Sequence, residues 1–172
     1  MNIYMIIIWA SLSLFPTNRN TDSSGIIDRL PSHLSSGEAK SIVWGIQYAS
    51  TKYNIDPTWL EAIAIVESGN WSHKKSITND WGYWQVNIKT FRYINSQLSY
   101  LGVRKPHELF NPIIGAEFGA YYLYQMLKLY KSYDKAIMAY NVGPGGLKTS
   151  PERARAYYRR VYNAKQEILK NK

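Results

Sequence analysis

The stretch Asp56-Pro57-Thr58-Trp59-Leu60-Glu61-Ala62-Ile63-Ala64-Ile65-Val66-Glu67-Ser68-Gly69 constrains the fold more than any other part of the chain, because it carries both ends of one helix around an apolar middle. Asp56 can accept hydrogen bonds from the free N–H groups of a first turn, so it is a good N-cap. Pro57 has the fixed φ that suits the first helical position, and Gly69 can adopt the left-handed stop. Leu60, Ile63 and Glu67 fall at steps of three and four on one stripe of this helix, so Glu67 occupies a position that periodicity assigns to the core. Glu61 falls off the stripe and is expected at the surface.

A carboxyl group on an apolar stripe loses hydration, and the negative end of the helix dipole lies within a turn of it. Both effects disfavour the anion and raise the pKa of Glu67. An acid that keeps its proton near neutral pH can protonate the oxygen of a glycosidic bond. Pairing with a basic side chain is the structural alternative.

Other helices are read from the same signals. Ile42, Ile46, Ala49 and Tyr53 form a stripe between Glu38 and Tyr53, with Asn54 at its end. Asn111-Pro112 opens a helix to about Tyr130, with Phe118, Tyr122, Met126 and Leu129 on one side. Gly115 and Gly119, one turn apart, leave room for a neighbouring helix. Ser132 caps a shorter helix ending at Ala139-Tyr140-Asn141, which the following Val-Gly-Pro-Gly-Gly must break. Ser150-Pro151 starts a basic final helix with Ala154, Tyr158, Val161 and Ile168 inward. Residues 70–110 carry turn signals and no sustained period, which predicts loops, short helices and at most a minor β element. The fold class is mainly α, in one domain.

With no cysteine among 172 residues, disulfides, thiolate metal sites and cysteine nucleophiles are excluded. His33, His73 and His107 are too scattered to form a helical metal pair, so neither a metal nor another cofactor is expected. The net charge of +9 points to a polyanionic partner or surface. The 15 tyrosines and 6 tryptophans suit the apolar faces of sugars as well as bases or a core. No nucleic-acid motif accompanies the charge, so nucleic acid is not an expected partner. Residues 1–15, Met-Asn-Ile-Tyr-Met-Ile-Ile-Ile-Trp-Ala-Ser-Leu-Ser-Leu-Phe, match the core of a signal peptide or a membrane anchor. They are the only expected membrane contact. Residues 16–37 are polar and read as a linker, which places the folded domain at residues 38–172.

Read in order, four segments resemble the soluble lytic transglycosylases and goose-type lysozymes. Ile65-Val66-Glu67-Ser68-Gly69 resembles the family's helix-end Glu-Ser motif, and Gly82-Tyr83-Trp84-Gln85-Val86-Asn87 its Gly-Leu-Met-Gln motif. Ala139-Tyr140-Asn141-Val142-Gly143-Pro144-Gly145 differs from the family's Ala-Tyr-Asn-Ala-Gly-Pro-Gly signature only at Val142. Tyr157-Tyr158-Arg159-Arg160-Val161 is similar to its Tyr-Val-Arg-Lys-Val segment. The resemblance implies a lysozyme-like fold, with Glu67 as the sole catalytic acid and base and Ser68, Gln85, Tyr140, Asn141 and Tyr157 at the substrate. Tyr83 and Trp84 replace Leu-Met, and these bulkier rings are expected to narrow or re-floor the cleft. Asp80 is a candidate second carboxylate.

The implied activity is cleavage of peptidoglycan glycan strands to 1,6-anhydromuramyl ends. A lysozyme-type hydrolase using Asp80, and a wall-binding module that does not cut, are the alternatives. The expected location is the periplasm or cell wall, membrane-anchored or virion-associated in some settings. Secretion, conjugation or phage-entry machinery are candidate partners.

Overall fold

The computed structural model of the chain describes residues 23–72 and 75–171. The proposed signal or anchor segment, residues 1–15, lies outside them, as do residues 16–22 of the polar stretch that follows it and His73. Among the described residues the helices are α1 (Ser23–Arg29), α2 (Ser36–Tyr53), α3 (Pro57–Ser68), α4 (Ile88–Gln97), α5 (Pro112–Tyr130), α6 (Tyr133–Val142), α7 (Gly146–Thr149) and α8 (Pro151–Lys170). The strands β1 (Asp80–Trp81) and β2 (Val86–Asn87) pair antiparallel, Asp80 opposite Asn87 and Trp81 opposite Val86. The protein is therefore mainly α with a minimal hairpin. No described helix is long and apolar enough to cross a membrane.

The capping residues act as their chemistry dictates. The Asp56 carboxylate accepts from Thr58 N at 2.9 Å, and Asn111 and Ser132 accept from the first turns of α5 and α6. Asn54 and Gly69 end α2 and α3 in the left-handed conformation. Helix α3 is the centre of the molecule: Thr58, Trp59, Leu60, Glu61, Ala62, Ile63 and Ala64 are all buried. It packs against α8 on one side and touches α2 and α5 on others.

Burial of Glu61 overturns the surface position expected for it, and the reason is α1. Part of the stretch read as linker is helical, its Ile26 is buried, and it packs on α2. Arg29 reaches from α1 to Glu61 as a fork, Nε to Oε1 at 3.0 Å and Nη2 to Oε2 at 2.9 Å. Glu61 is 1% exposed. A face of α3 that periodicity assigns to solvent is thus covered by a helix the sequence pattern did not disclose, and the buried charge is matched by a guanidinium.

Gly115 and Gly119 serve a different neighbour from the helix anticipated. A Cβ on Gly119 would lie 2.6 Å from the Trp84 ring, so the indole, rather than another helix, lies flat in the gap. Trp84 is fully buried, and its Nε1 donates to the Leu60 carbonyl of α3 at 3.1 Å. Tyr83 is 1% exposed. The two bulky residues therefore fill the core behind the groove, not its floor. Two stripe assignments also change: Leu129 is 59% exposed, and Tyr157 rather than Tyr158 faces inward on α8.

Candidate active site

A groove of about 390 Å³ opens between the hairpin, α4 and α6, lined in part by Glu67, Asp80, Gln85, Asn87, Tyr140 and Asn141. Four of the residues singled out in the sequence as site candidates are thus brought together with Glu67, from four separate segments of the chain. Ser68 and Tyr157 are not on the groove wall.

Glu67 sits one residue from the end of α3, partly exposed to the groove. Loss of hydration is the largest influence on its carboxyl and pushes it up, to about 7. The neighbouring Tyr157 hydroxyl opposes this, the negative charge of Asp80 reinforces it, and the more distant Arg160 and Arg153 pull it down. Among the described residues no cation lies within ion-pair distance of Glu67. Desolvation without a paired cation is the environment that keeps an acid protonated near neutrality.

Ser68 holds the end of that helix. It is fully buried, its Oγ donates to the Ala64 carbonyl at 2.6 Å and accepts from Trp71 N at 2.7 Å. Gly69, Asn70 and Trp71 all have positive φ, 58°, 57° and 66°. A left-handed Trp costs about 1–3 kcal/mol, offset here by burial of its ring edge-on to Tyr83 and Trp84. The resemblance puts Ser68 at the substrate; its hydroxyl instead clamps the turn that aims Glu67.

Tyr157, 1% exposed, lies behind Glu67, its hydroxyl facing the carboxyl. Tyr140 is on the groove wall, and its hydroxyl donates to the Trp84 carbonyl at 3.0 Å, tying α6 to the turn of the hairpin. Burial pushes both phenols well up, and the nearby Glu67 charge adds to it. Gln85 takes a positive φ of 45° and folds its amide back onto the Gly82 carbonyl at 2.7 Å. Beyond α6, Gly143 turns the chain at φ 74°, ψ 169°, a region open essentially to glycine alone. Asn141, next to it, accepts from Arg153 Nε at 3.2 Å.

Asp80 is held in place on three sides, by Ser76 Oγ at 2.7 Å, Thr78 Oγ1 at 2.5 Å and Asn87 Nδ2 at 2.8 Å. Its turn-forming role and its place in the groove coexist. Sequence reasoning missed Lys89, Arg153 and Tyr122 as groove residues. The signal for Lys89 was present: Asn87 is an N-cap, and Phe91, Ile94 and Leu98 are the buried stripe of α4. No group of three or more His, Asp or Glu among the described residues is placed to hold a metal ion.

The family model for the transglycosylase SLT domain matches residues 45–163. That family acts on peptidoglycan. No solved structure matches the chain at a significant level.

Proposed function

Because this chain belongs to the transglycosylase SLT domain family, we propose that it is a lytic transglycosylase cutting the β-1,4 bond between N-acetylmuramic acid and N-acetylglucosamine. The observation that carries this reading is Glu67, half-buried in the groove wall with its pKa raised to about 7. In the first step the Glu67 carboxylic acid gives its proton to the glycosidic oxygen as the C1–O bond of the muramyl residue breaks. The substrate's acetamido oxygen bonds to C1 and stabilises the cationic centre. In the second step the Glu67 carboxylate takes the proton of the muramyl C6 hydroxyl, O6 bonds to C1, and the acetamido oxygen leaves. The product is a 1,6-anhydro end, with Glu67 reprotonated and no water consumed.

Several residues in and behind the groove have matching tasks. Tyr157, behind Glu67, donates toward the carboxylate formed after the first step and so eases the proton's departure. Tyr140 fixes the wall, while Gln85 and Asn141 offer amide groups to the sugar substituents. The apolar N-terminal residues favour export to the periplasm or cell wall, where the glycan is.

A second reading is favoured by Asp80, which lies in the same groove as Glu67 with its carboxylate fixed by three donors. There Asp80 positions a water that captures the intermediate, giving a reducing end. Mass spectrometry of muropeptides released by the purified protein separates the two, since the products differ by one water. Anhydro ends that vanish with Glu67→Gln and persist with Asp80→Asn support the transglycosylase. Reducing ends lost with Asp80→Asn sink it in favour of the hydrolase, and an absence of any release from intact sacculi sinks both.

A further inference from the structure

The groove that holds Glu67 also carries two cations with no task in the chemistry above: Arg153, in the first turn of α8, and Lys89, in the first turn of α4. Elsewhere in the described residues Arg29, Lys52, Arg155, Lys165 and Lys170 each sit within 3 Å of a carboxylate oxygen. Arg153 and Lys89 have no such partner among the described residues. Arg153 is nonetheless oriented, because its Nε donates to Asn141 Oδ1 at 3.2 Å. That bond anchors the guanidinium at Nε and leaves Nη1 and Nη2 without a hydrogen-bond partner among the described residues. A free guanidinium edge matches the two oxygens of a carboxylate. Cations left unpaired along a concave wall concentrate anions there.

We propose that Arg153, with Lys89, forms a carboxylate subsite beside the scissile sugar and selects glycan whose muramyl O3 substituents carry free carboxylates over neutral glycan of the same backbone. This rests on the glycan-cleaving reading and adds to it what the strand must bear. The carboxylate has two sources: the lactyl group itself where the stem peptide has been removed, and the acids of the stem where it is retained. The Asp80 carboxylate in the same groove repels such a group, so the charge pattern orients the strand as well as attracting it.

Titration calorimetry of the full chain carrying Glu67→Gln, which prevents turnover, tests the subsite. The ligands are neutral chitotetraose, a peptide-free muramyl-containing tetrasaccharide, and the same tetrasaccharide bearing stem peptides. We expect at least one carboxylate-bearing ligand to bind about tenfold more tightly than chitotetraose at low salt, the scale of one charge-assisted contact. Preference for the peptide-free ligand identifies the lactyl group; preference for the peptide-bearing one identifies the stem. Arg153→Gln and Lys89→Gln should each shrink the preference, Arg153→Lys should keep part of it, and the double Gln variant should abolish it. Asn141 is hydrogen-bonded to Arg153 and not to Lys89, so the Lys89 variant separates loss of the subsite from a disturbed Asn141. Equal affinity for neutral and anionic ligands, or a preference that survives the double variant, overturns the subsite while leaving glycan binding intact. Failure to bind all three saccharides overturns the glycan reading itself.

Discussion

Glu67→Gln should make the protein more stable, by an amount that is absent below about pH 4.5 and complete above about pH 7. The folded protein holds the Glu67 proton up to about pH 7, whereas an unfolded glutamate releases it near 4.5. Between those values the folded state binds more protons than the unfolded chain, so stability falls as pH rises through the window. At 1.36 kcal/mol per pKa unit, the full displacement corresponds to about 3 kcal/mol. Glutamine has the same shape and no charge to desolvate, so the penalty is absent from the variant. Urea unfolding of both proteins across roughly pH 4 to 8 should give curves that coincide at the acid end. They should separate progressively above about pH 4.5, reaching about 3 kcal/mol in favour of the variant near pH 8. A difference that is constant with pH, or that favours the wild type at pH 8, would mean the carboxyl is hydrated when ionised, and the acid proposed for the first step would not exist.

The same carboxyl sets the rate. The kcat/KM for muropeptide release should be level below pH about 7 and fall tenfold per pH unit above it as the acid is lost; a limb near 4.5 would contradict a desolvated Glu67. Ser68→Ala removes the acceptor for Trp71 N and the donor to Ala64 O, so we expect a stability loss of about 1–3 kcal/mol and a kcat that falls more than KM rises. Unchanged kcat would mean the turn holds its shape without the clamp. Arg29→Ala strands the buried Glu61 carboxylate and should cost about 3–5 kcal/mol in denaturant midpoint measurements, much of it recovered by combining Arg29→Met with Glu61→Leu. A loss under about 1 kcal/mol, the range of a surface pair, would show that Arg29 does not hold Glu61 in solution.

Most of the helical frame was legible because local chemistry settles it. Asn54, Asp56, Gly69, Asn111, Ser132 and Ser150 mark ends that the structure places within about two residues of their expected positions. The errors arise where tertiary contacts outvote the pattern. Helix α1 is too short and too polar to announce itself; Ile26, its one buried side chain among those described, gives no period. Missing it made Glu61 look like surface. Gly115 and Gly119 correctly signalled a close approach, but spacing within one helix cannot say what approaches, and the partner was the indole of Trp84. Tyr157 and Tyr158 are adjacent on a helix, and periodicity chose the wrong one to bury. The groove was legible only in fragments, since Asp80, Asn87, Tyr140 and Arg153 meet Glu67 through folding and not through sequence.

Comparison of Glu67 with the two fully buried glutamates, Glu61 and Glu117, shows why Glu67 is suited to chemistry. Glu61 is gripped by Arg29, and Glu117, 1% exposed, is met by Lys52 Nζ at 2.7 Å, Tyr53 Oη at 2.5 Å and Tyr100 Oη at 2.7 Å. Each of these contacts ties one element to another, α1 to α3 and the turn after α4 to α2 and α5. Such a carboxylate is committed to a cation and has no opening through which to deliver a proton. Glu67 differs on both counts: it faces a groove, and its near neighbour is the neutral Tyr157 hydroxyl, with Arg153 and Arg160 acting only from a distance. Moving a cation into contact with it, for instance by Tyr157→Lys, should therefore lower its pKa and destroy activity even where the groove keeps its shape. The site depends on the chain having withheld from Glu67 the partner it supplies to Glu61 and Glu117.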